Sequence, residues 1–326
     1  MKTKDVVRIG FVGAGGNASW HMQTVSEIKG ARIAAVCDLS AERAEAAAAR
    51  HGANAYTDYE RLLGEEDLDA VYVSVPPFAH SDAEILAAER GLHLFVEKPV
   101  ALTLERGLEI WEAIARAGVL SCVGYQLRYT PYTDSIRDFL AGKNLLMVVA
   151  RRWGGLVGGP WWQKMELSGG QLVEQATHEV DLIRYWAGEV RSVYATYSRK
   201  VHGHVPGITI PDLQAIQLEF ASGAIGQFVT SCTGCPGGRG FEFYLDGMKL
   251  TTDGGAPELT PADAAPLNRE PGEAESIDQV FVDAVRTGDG SRIKSPYLDA
   301  LKTLDVTLAA NASAKERRPV ETYFSW

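Results

Sequence analysis

Between Val6 and Tyr125 short apolar runs alternate with helix-forming stretches, and this alternation leaves few folds open. The runs are Val6 to Val12, Ala31 to Cys37, Ala70 to Val75, Leu92 to Glu97 and Val119 to Tyr125. Between them Ala18 to Ile28, Ser40 to His51, His80 to Arg90 and Thr103 to Ala117 read as helices. Gly30, Gly52, Gly91 and Gly118 follow these helices as stops, and the hydroxyl of Ser40 is placed to cap the second. Strands separated by helices of 10–15 residues form βαβ units, so the pattern predicts a doubly wound parallel sheet.

After about residue 123 the grammar changes. Tyr132 to Ala141 and Leu172 to Trp186 still read as helices. Strand-like runs then follow one another: Val193 to Lys200, Leu213 to Phe220, Ala224 to Ser231, Gly240 to Leu245 and Met248 to Thr251. Turns such as Ser222-Gly223 and Asp246-Gly247 separate them, as in antiparallel hairpins. Gly254 to Gly272 reads as a surface loop, and helices over Ser276 to Arg286 and Tyr297 to Ala312 close the chain. At roughly 150 residues per domain, 326 residues suit two domains. The expected division is a dinucleotide-binding α/β domain over 1–122 and an α+β substrate-binding and oligomerisation domain, with a mostly antiparallel open sheet, over 123–326.

Composition narrows the function classes. A net charge of −10 argues against non-specific binding to nucleic acid or an anionic membrane. No run approaches the roughly 20 apolar residues of a membrane span. Four cysteines are too few for a disulfide framework in a chain of this length. No signal-peptide pattern follows Met1, so the cytoplasm is the expected compartment. One sheet face left without helices predicts self-association as a homodimer or homotetramer.

Three motifs carry chemistry. Gly13-Ala14-Gly15-Gly16-Asn17-Ala18 is a G-x-G-x-x-A turn between the first strand and the first helix. Gly13 allows the tight turn, Gly15 lets the backbone approach a pyrophosphate, and Ala18 keeps helix and strand close. The helix start offers N–H groups and a positive dipole end to the anion. Gly13, Gly15, Gly16 and Asn17 are therefore candidate cofactor residues. Asp38 ends the second strand, where an acid hydrogen-bonds the ribose diol and repels a 2′-phosphate, so NAD is expected in preference to NADP.

Glu97-Lys98-Pro99 closes the fourth run, at the sheet edge where such folds bind ligands. A lysine beside a cationic nicotinamide is suited to handling a proton. Finally, Glu174, His178, Asp181 and Tyr185 share one stripe if Leu172 to Trp186 is a single helix. That stripe suits a cleft wall with an acid/base histidine. The competing reading makes His178 structural, tied to Asp181.

With these segments in view the chain resembles the glucose–fructose oxidoreductase, inositol dehydrogenase and rhizopine-catabolism family, Gfo/Idh/MocA. The resemblance rests on GFVGAGGNA, VSVPPFAH, FVEKPVALT, GGQLVEQATHEVDLIRYWAGEV and the closing SPYLDALKTLDVTLAANASAKERRPV. It implies that Lys98 lies near the nicotinamide and the reacting hydroxyl, and that His178 is the acid/base residue at a sugar. The family commonly has an aspartate four residues before that histidine, and this chain has Glu174. Ser74, Pro76 and His80 match the segment along the adenosine and nicotinamide ribose. Gln126 and Arg128 match a crossover segment under the cofactor, and Glu97 of the EKP motif is a further candidate cofactor residue. Arg128, Trp161, Trp162 and Asp181 are candidate substrate contacts.

The implied activity is NAD(P)-dependent oxidoreduction at a secondary hydroxyl or ketone of a sugar, sugar derivative or cyclitol. An NAD-using glycosidase and a non-catalytic sensor on the same fold are the rivals. Cys232-Thr-Gly-Cys235 stands alone and runs into glycines rather than a helix, so no metal is assigned to it.

Overall fold

The structure, a computed structural model, describes residues 5–268 and 270–324. The chain forms two compact units, Met1–Gln126 with Glu275–Leu301, and Leu127–Ala274 with Lys302–Trp326.

Unit 1 runs β1 (Val7–Val12), α1 (Gly16–Glu27), β2 (Ala31–Cys37), α2 (Ala41–His51), β3 (Asn54–Tyr56), α3 (Tyr59–Glu65), β4 (Ala70–Val73), α4 (Ala83–Glu89), β5 (His93–Val96), α5 (Leu104–Ala117) and β6 (Ser121–Val123). The strands form one six-stranded sheet, ordered β3-β2-β1-β4-β5-β6, and every pair is parallel. Strands β4 and β5 are buried on nearly every residue, which is why they read as continuous apolar runs rather than alternating ones. Side chains of Ser40, Asp58 and Thr103 cap α2, α3 and α5 by accepting first-turn N–H groups.

Unit 2 begins with α6 (Thr133–Leu140) and β7 (Leu145–Trp153). Three short helices follow: α7 (Met165–Ser168), α8 (Gln171–Glu174) and α9 (Thr177–Ala187). Strands β8 (Val190–Ser198), β9 (Leu213–Phe220), β10 (Ile225–Ser231), β11 (Arg239–Leu245), β12 (Met248–Thr252) and β13 (Glu258–Thr260) come next. After them α10 (Ile277–Thr287) belongs to unit 1, α11 (Tyr297–Glu316) starts there and continues in unit 2, and β14 (Val320–Glu321) ends the described elements. The unit 2 sheet has eight strands, ordered β13-β12-β11-β7-β10-β9-β8-β14. Only β7 and β10 pair in parallel; the other neighbours are antiparallel. One face packs Val148, Ala150, Val193, Ala195, Ile216, Leu218 and Phe228 into the core with Trp186 of α9.

Four readings of the sequence change. β7 sits in the middle of the second sheet although no strand was expected there. β3 and α3 fill a stretch that carried no assignment. The 254–272 segment, expected as loop, contains β13. The expected single helix 172–186 is two: Ala176 N–H reaches Gln171 O at 2.8 Å, a wider turn that ends α8 before α9 begins. The division at 122/123 also misses a return. Glu275–Leu301 belongs to unit 1, where Phe281 of α10 packs edge-on to Tyr72 and Phe95 at 5.5 and 5.7 Å between ring centres.

Candidate functional site

The sheet order of unit 1 reverses between β1 and β4, and ligands of open parallel sheets bind outside the carboxyl ends of strands at such a reversal. The candidate cofactor residues of unit 1 follow the carboxyl ends of β1, β2, β4, β5 and β6. Gly13 follows β1 with φ of +103°, and a Cβ there would fall 2.1 Å from Ser74 O, so only glycine fits. Around Gly15 and Gly16 a Cβ would meet nothing within 4 Å. The start of α1 has no side-chain cap and no acid in its first turn. Free N–H groups, a positive helix end and glycine-lined space fit a pyrophosphate.

Asp38 lies where a ribose diol would be read. Its Oδ2 accepts the Ala14 N–H at 2.9 Å, and its Oδ1 accepts the Ser40 N–H at 2.9 Å and the Arg43 guanidinium at 2.6 Å. Burial opposes ionisation of this carboxyl, but these donors outweigh it and hold Asp38 below the usual carboxylate range. The residues present fit a dinucleotide.

Ser74 is buried, Pro76 precedes a single turn of 3₁₀ helix over Pro77–Ala79, and His80 follows it. The Nδ1 of His80 lies 2.5 Å from Glu84 Oε1, both side chains being buried.

Lys98 is half-buried directly after β5. Beside it Glu97, 2% exposed, accepts the Lys98 backbone N–H at 3.1 Å, the Gln126 amide at 3.1 Å and the His21 imidazole at 2.9 Å. The other imidazole nitrogen of His21 is 2.7 Å from Asp278 Oδ1 on α10. Burial alone would depress the imidazole, but the two flanking carboxylates overcome it and push it up to about 9. The folded value exceeds the unfolded one, so the stabilisation is complete below pH ~6.5 and is lost as pH rises through ~9. Urea unfolding should show a fall of about 3 kcal/mol across that window, at ~1.36 kcal/mol per pKa unit; a flat profile would contradict it. Sequence reasoning missed His21 and Asp278. The available signal was a histidine on the buried face of α1, with Ala18, Met22 and Val25.

Unit 2 separates its candidates. Glu174 ends α8 and His178 opens α9, so the proposed stripe is broken between them. Two expected substrate contacts are otherwise engaged. Arg128 and Asp181 are 2% and 0% exposed and bond each other twice, at 2.7 and 2.6 Å. Thr303 donates to the same Asp181 at 3.0 Å. Asp181 is thus held by Arg128. Trp162 is 1% exposed, packs with Ile208, Ile210 and Cys232, and donates its indole N–H to Glu174. It is a wall holding Glu174, not a stacking platform; Trp161 beside it is half-buried. Tyr185 donates to Asp134 at 2.9 Å and lies 4.7 Å under the Arg128 guanidinium. Cys232 is buried and Cys235 exposed. Among the described residues no helix is long and apolar enough to cross a membrane.

A parallel sheet with this glycine turn, acid and edge lysine defines a dinucleotide-dependent oxidoreductase. Residues 7–125 match the family model described as "Oxidoreductase family, NAD-binding Rossmann fold", and residues 136–251 the "GFO/IDH/MocA C-terminal domain". The chain belongs to the Gfo/Idh/MocA family, as its motifs led us to expect. It is 28% identical to scyllo-inositol 2-dehydrogenase (NAD(+)) of Bacillus subtilis, over 97% of this chain and 96% of that one. An oxidoreductase of the same organism without an assigned reaction is 31% identical, over 68% of this chain and 66% of its own length. An Agrobacterium radiobacter oxidoreductase solved with NAD+, L-tartaric acid and magnesium has the same fold, with a TM-score of 0.83 at 20% identity over 97% of this chain and 98% of that one.

Proposed function

We propose that the chain transfers a hydride between NAD and a secondary hydroxyl or ketone of a sugar, sugar derivative or cyclitol. One observation carries this reading: the glycine turn after β1, Asp38 after β2, Ser74 after β4 and Lys98 after β5 share one sheet edge. The inositol activity of the curated relative gives the substrate class. When bound, NAD supplies the hydride acceptor at its nicotinamide ring. Gly13, Gly15, Gly16 and Asn17 hold its pyrophosphate, and Asp38 its adenosine ribose. Ser74, Pro76, His80, Glu97 and Gln126 border the rest. Lys98 and His178 take and return the hydroxyl proton, Glu174 orients the substrate, and Trp161 contacts it.

Incubation with NAD and a panel of polyols and sugars, followed at the reduced-nicotinamide absorbance band, tests this. Net NADH formation supports it. Release of an aglycone without net NADH would instead indicate an NAD-using glycosidase, and silence throughout a sensor.

Cofactor choice follows from Asp38. NAD should bind at least ~10-fold more tightly than NADP, because a 2′-phosphate meets the carboxylate and displaces diol hydrogen bonds worth about 1.5 kcal/mol or more. Asp38→Ser releases Arg43 and should shrink that ratio. Equal affinities in the unaltered protein would remove Asp38 as the discriminator.

His178→Ala should lose turnover with its melting temperature kept. A melting temperature falling in step with activity would make the residue structural.

We also propose a cytoplasmic enzyme that self-associates as a dimer or tetramer through the second sheet. Its outer face shows Tyr194 and Ile225 at 37% and 56% exposure, with Met147 of β7 paired to Ile225. A monomer in sedimentation at micromolar concentration would contradict the assembly, and a secreted pool in cell fractionation the compartment.

A further inference from the structure

Under the turn that carries Lys98, three buried ionisable side chains of unit 1 form a connected series from three distant parts of the chain. His21 comes from α1, Glu97 from the residue after β5, and Asp278 from the first turn of α10. His21 and Asp278 are fully buried and Glu97 nearly so. The imidazole bridges Asp278 Oδ1 at 2.7 Å and Glu97 Oε1 at 2.9 Å, while Glu97 Oε2 takes the Lys98 backbone N–H at 3.1 Å. Space around that carboxylate is closed. A Cβ on Gly124 would fall 2.4 Å from Oε1, and the ring of Phe95 stands edge-on to His21 with centres 4.8 Å apart.

Stability alone does not account for this set. Replacing a buried ion pair or triad by apolar groups of similar volume is often neutral or stabilising, because desolvating the charges costs as much as their attraction returns. The rings of Phe95 and Phe281 already supply an apolar setting that such groups would fit. What the polar series does that an apolar one would not is fix a carboxylate on a particular backbone N–H. That N–H belongs to Lys98.

We propose that His21 is a positioning residue for Lys98: clamped by Asp278, it holds the Glu97 carboxylate, which in turn fixes the backbone from which the Lys98 amine projects. The proposal rests on the reading of Lys98 as a proton-handling residue. Misplacing a reacting group by ~1 Å costs up to ~10²-fold in rate, so an effect relayed through one carboxylate falls between ~10-fold and ~10²-fold.

The test is a double-mutant cycle of His21→Gln and Lys98→Ala in the full chain, with NAD and the fastest polyol of the panel. kcat, KM and the NAD dissociation constant are measured for all four proteins. His21→Gln is expected to lower kcat ~10- to 100-fold with the NAD dissociation constant within ~3-fold, and to have no further effect once Lys98 is alanine. A purely structural role would lower kcat by the same factor in both backgrounds, and that result, or an unchanged kcat in His21→Gln, overturns the proposal. Lys98→Ala alone reads the underlying assignment: if it leaves turnover intact, the role of Lys98 falls, and the positioning role with it. Should His21→Gln fail to fold, Asp278→Asn keeps an acceptor for the imidazole at nearly the same volume. It is expected to give a smaller fall in kcat that again vanishes without Lys98; persistence of that fall would overturn the proposal equally.

Discussion

Replacing Lys98 by alanine is expected to cut turnover by ~10² or more while NAD still binds. The first half of that expectation is the usual scale for losing a positioned acid or base. The second half follows from where the binding groups lie. On the proposed reading, the Gly13 turn, the start of α1 and Asp38 recognise the pyrophosphate and ribose without using Lys98. Nor does truncating a half-buried side chain open a core cavity, since the backbone there is held by Glu97. Lys98→Arg sharpens the comparison. It keeps a positive charge, but a guanidinium does not give up its proton at any working pH, so it should be nearly as slow as alanine. Fluorescence titration with NADH and steady-state rates on one preparation check both halves. Turnover near that of the unaltered protein in either variant would remove the amine from the chemistry.

Arg128→Leu should be among the most destabilising single changes in unit 2. It takes the guanidinium away from the Asp181 carboxylate, 0% exposed, and leaves the Thr303 hydroxyl, a neutral donor at 3.0 Å, in its place. Removing one member of a buried pair costs about 3–5 kcal/mol, because the survivor is left charged and uncompensated. At ~2–4 °C per kcal/mol for a body of this size, the melting temperature should fall by roughly 6–20 °C. The double variant Arg128→Leu with Asp181→Leu should recover most of the loss, since no charge is then stranded. Scanning calorimetry separates this from a substrate-binding role. A pair that binds substrate would show a raised KM at an unchanged melting temperature.

These two residues mark the limit of what the sequence discloses. The glycine turn, Asp38 and Glu97-Lys98 could be placed because each follows a strand whose apolar run is unmistakable, and strand ends are where such sheets bind ligands. The first sheet was legible for the same reason, apart from β3, which is only three residues long. The second was less so. β7 ends in Arg151-Arg152-Trp153, and its partly exposed alternation does not stand out from loop. Arg128 and Asp181 sit 53 positions apart, and no local period announces that they face one another. His21 and Asp278 are 257 positions apart. The break between α8 and α9 was hidden because Gln175-Ala176 are ordinary helix formers; tertiary packing overrode a local preference that pointed to one continuous helix.

The return of Glu275–Leu301 to the first unit governs the order in which the molecule can be made. A ribosome that has finished Gln126 has synthesised all of β1 to β6, yet Phe281 and Asp278 are still untranslated. At ~5–20 residues per second the missing piece arrives roughly 10–35 seconds later. Until then the aromatic face of β4 and β5 stays open and the His21 imidazole lacks one of its carboxylates. The second unit waits too, because its own last segment begins at Lys302. Neither half is expected to fold as a cassette cut out at the 126/127 boundary. Residues 1–126 expressed alone should bind a hydrophobic dye and resist crystallisation-grade purification, whereas a compact, dye-free fragment would show that the closing helix is dispensable.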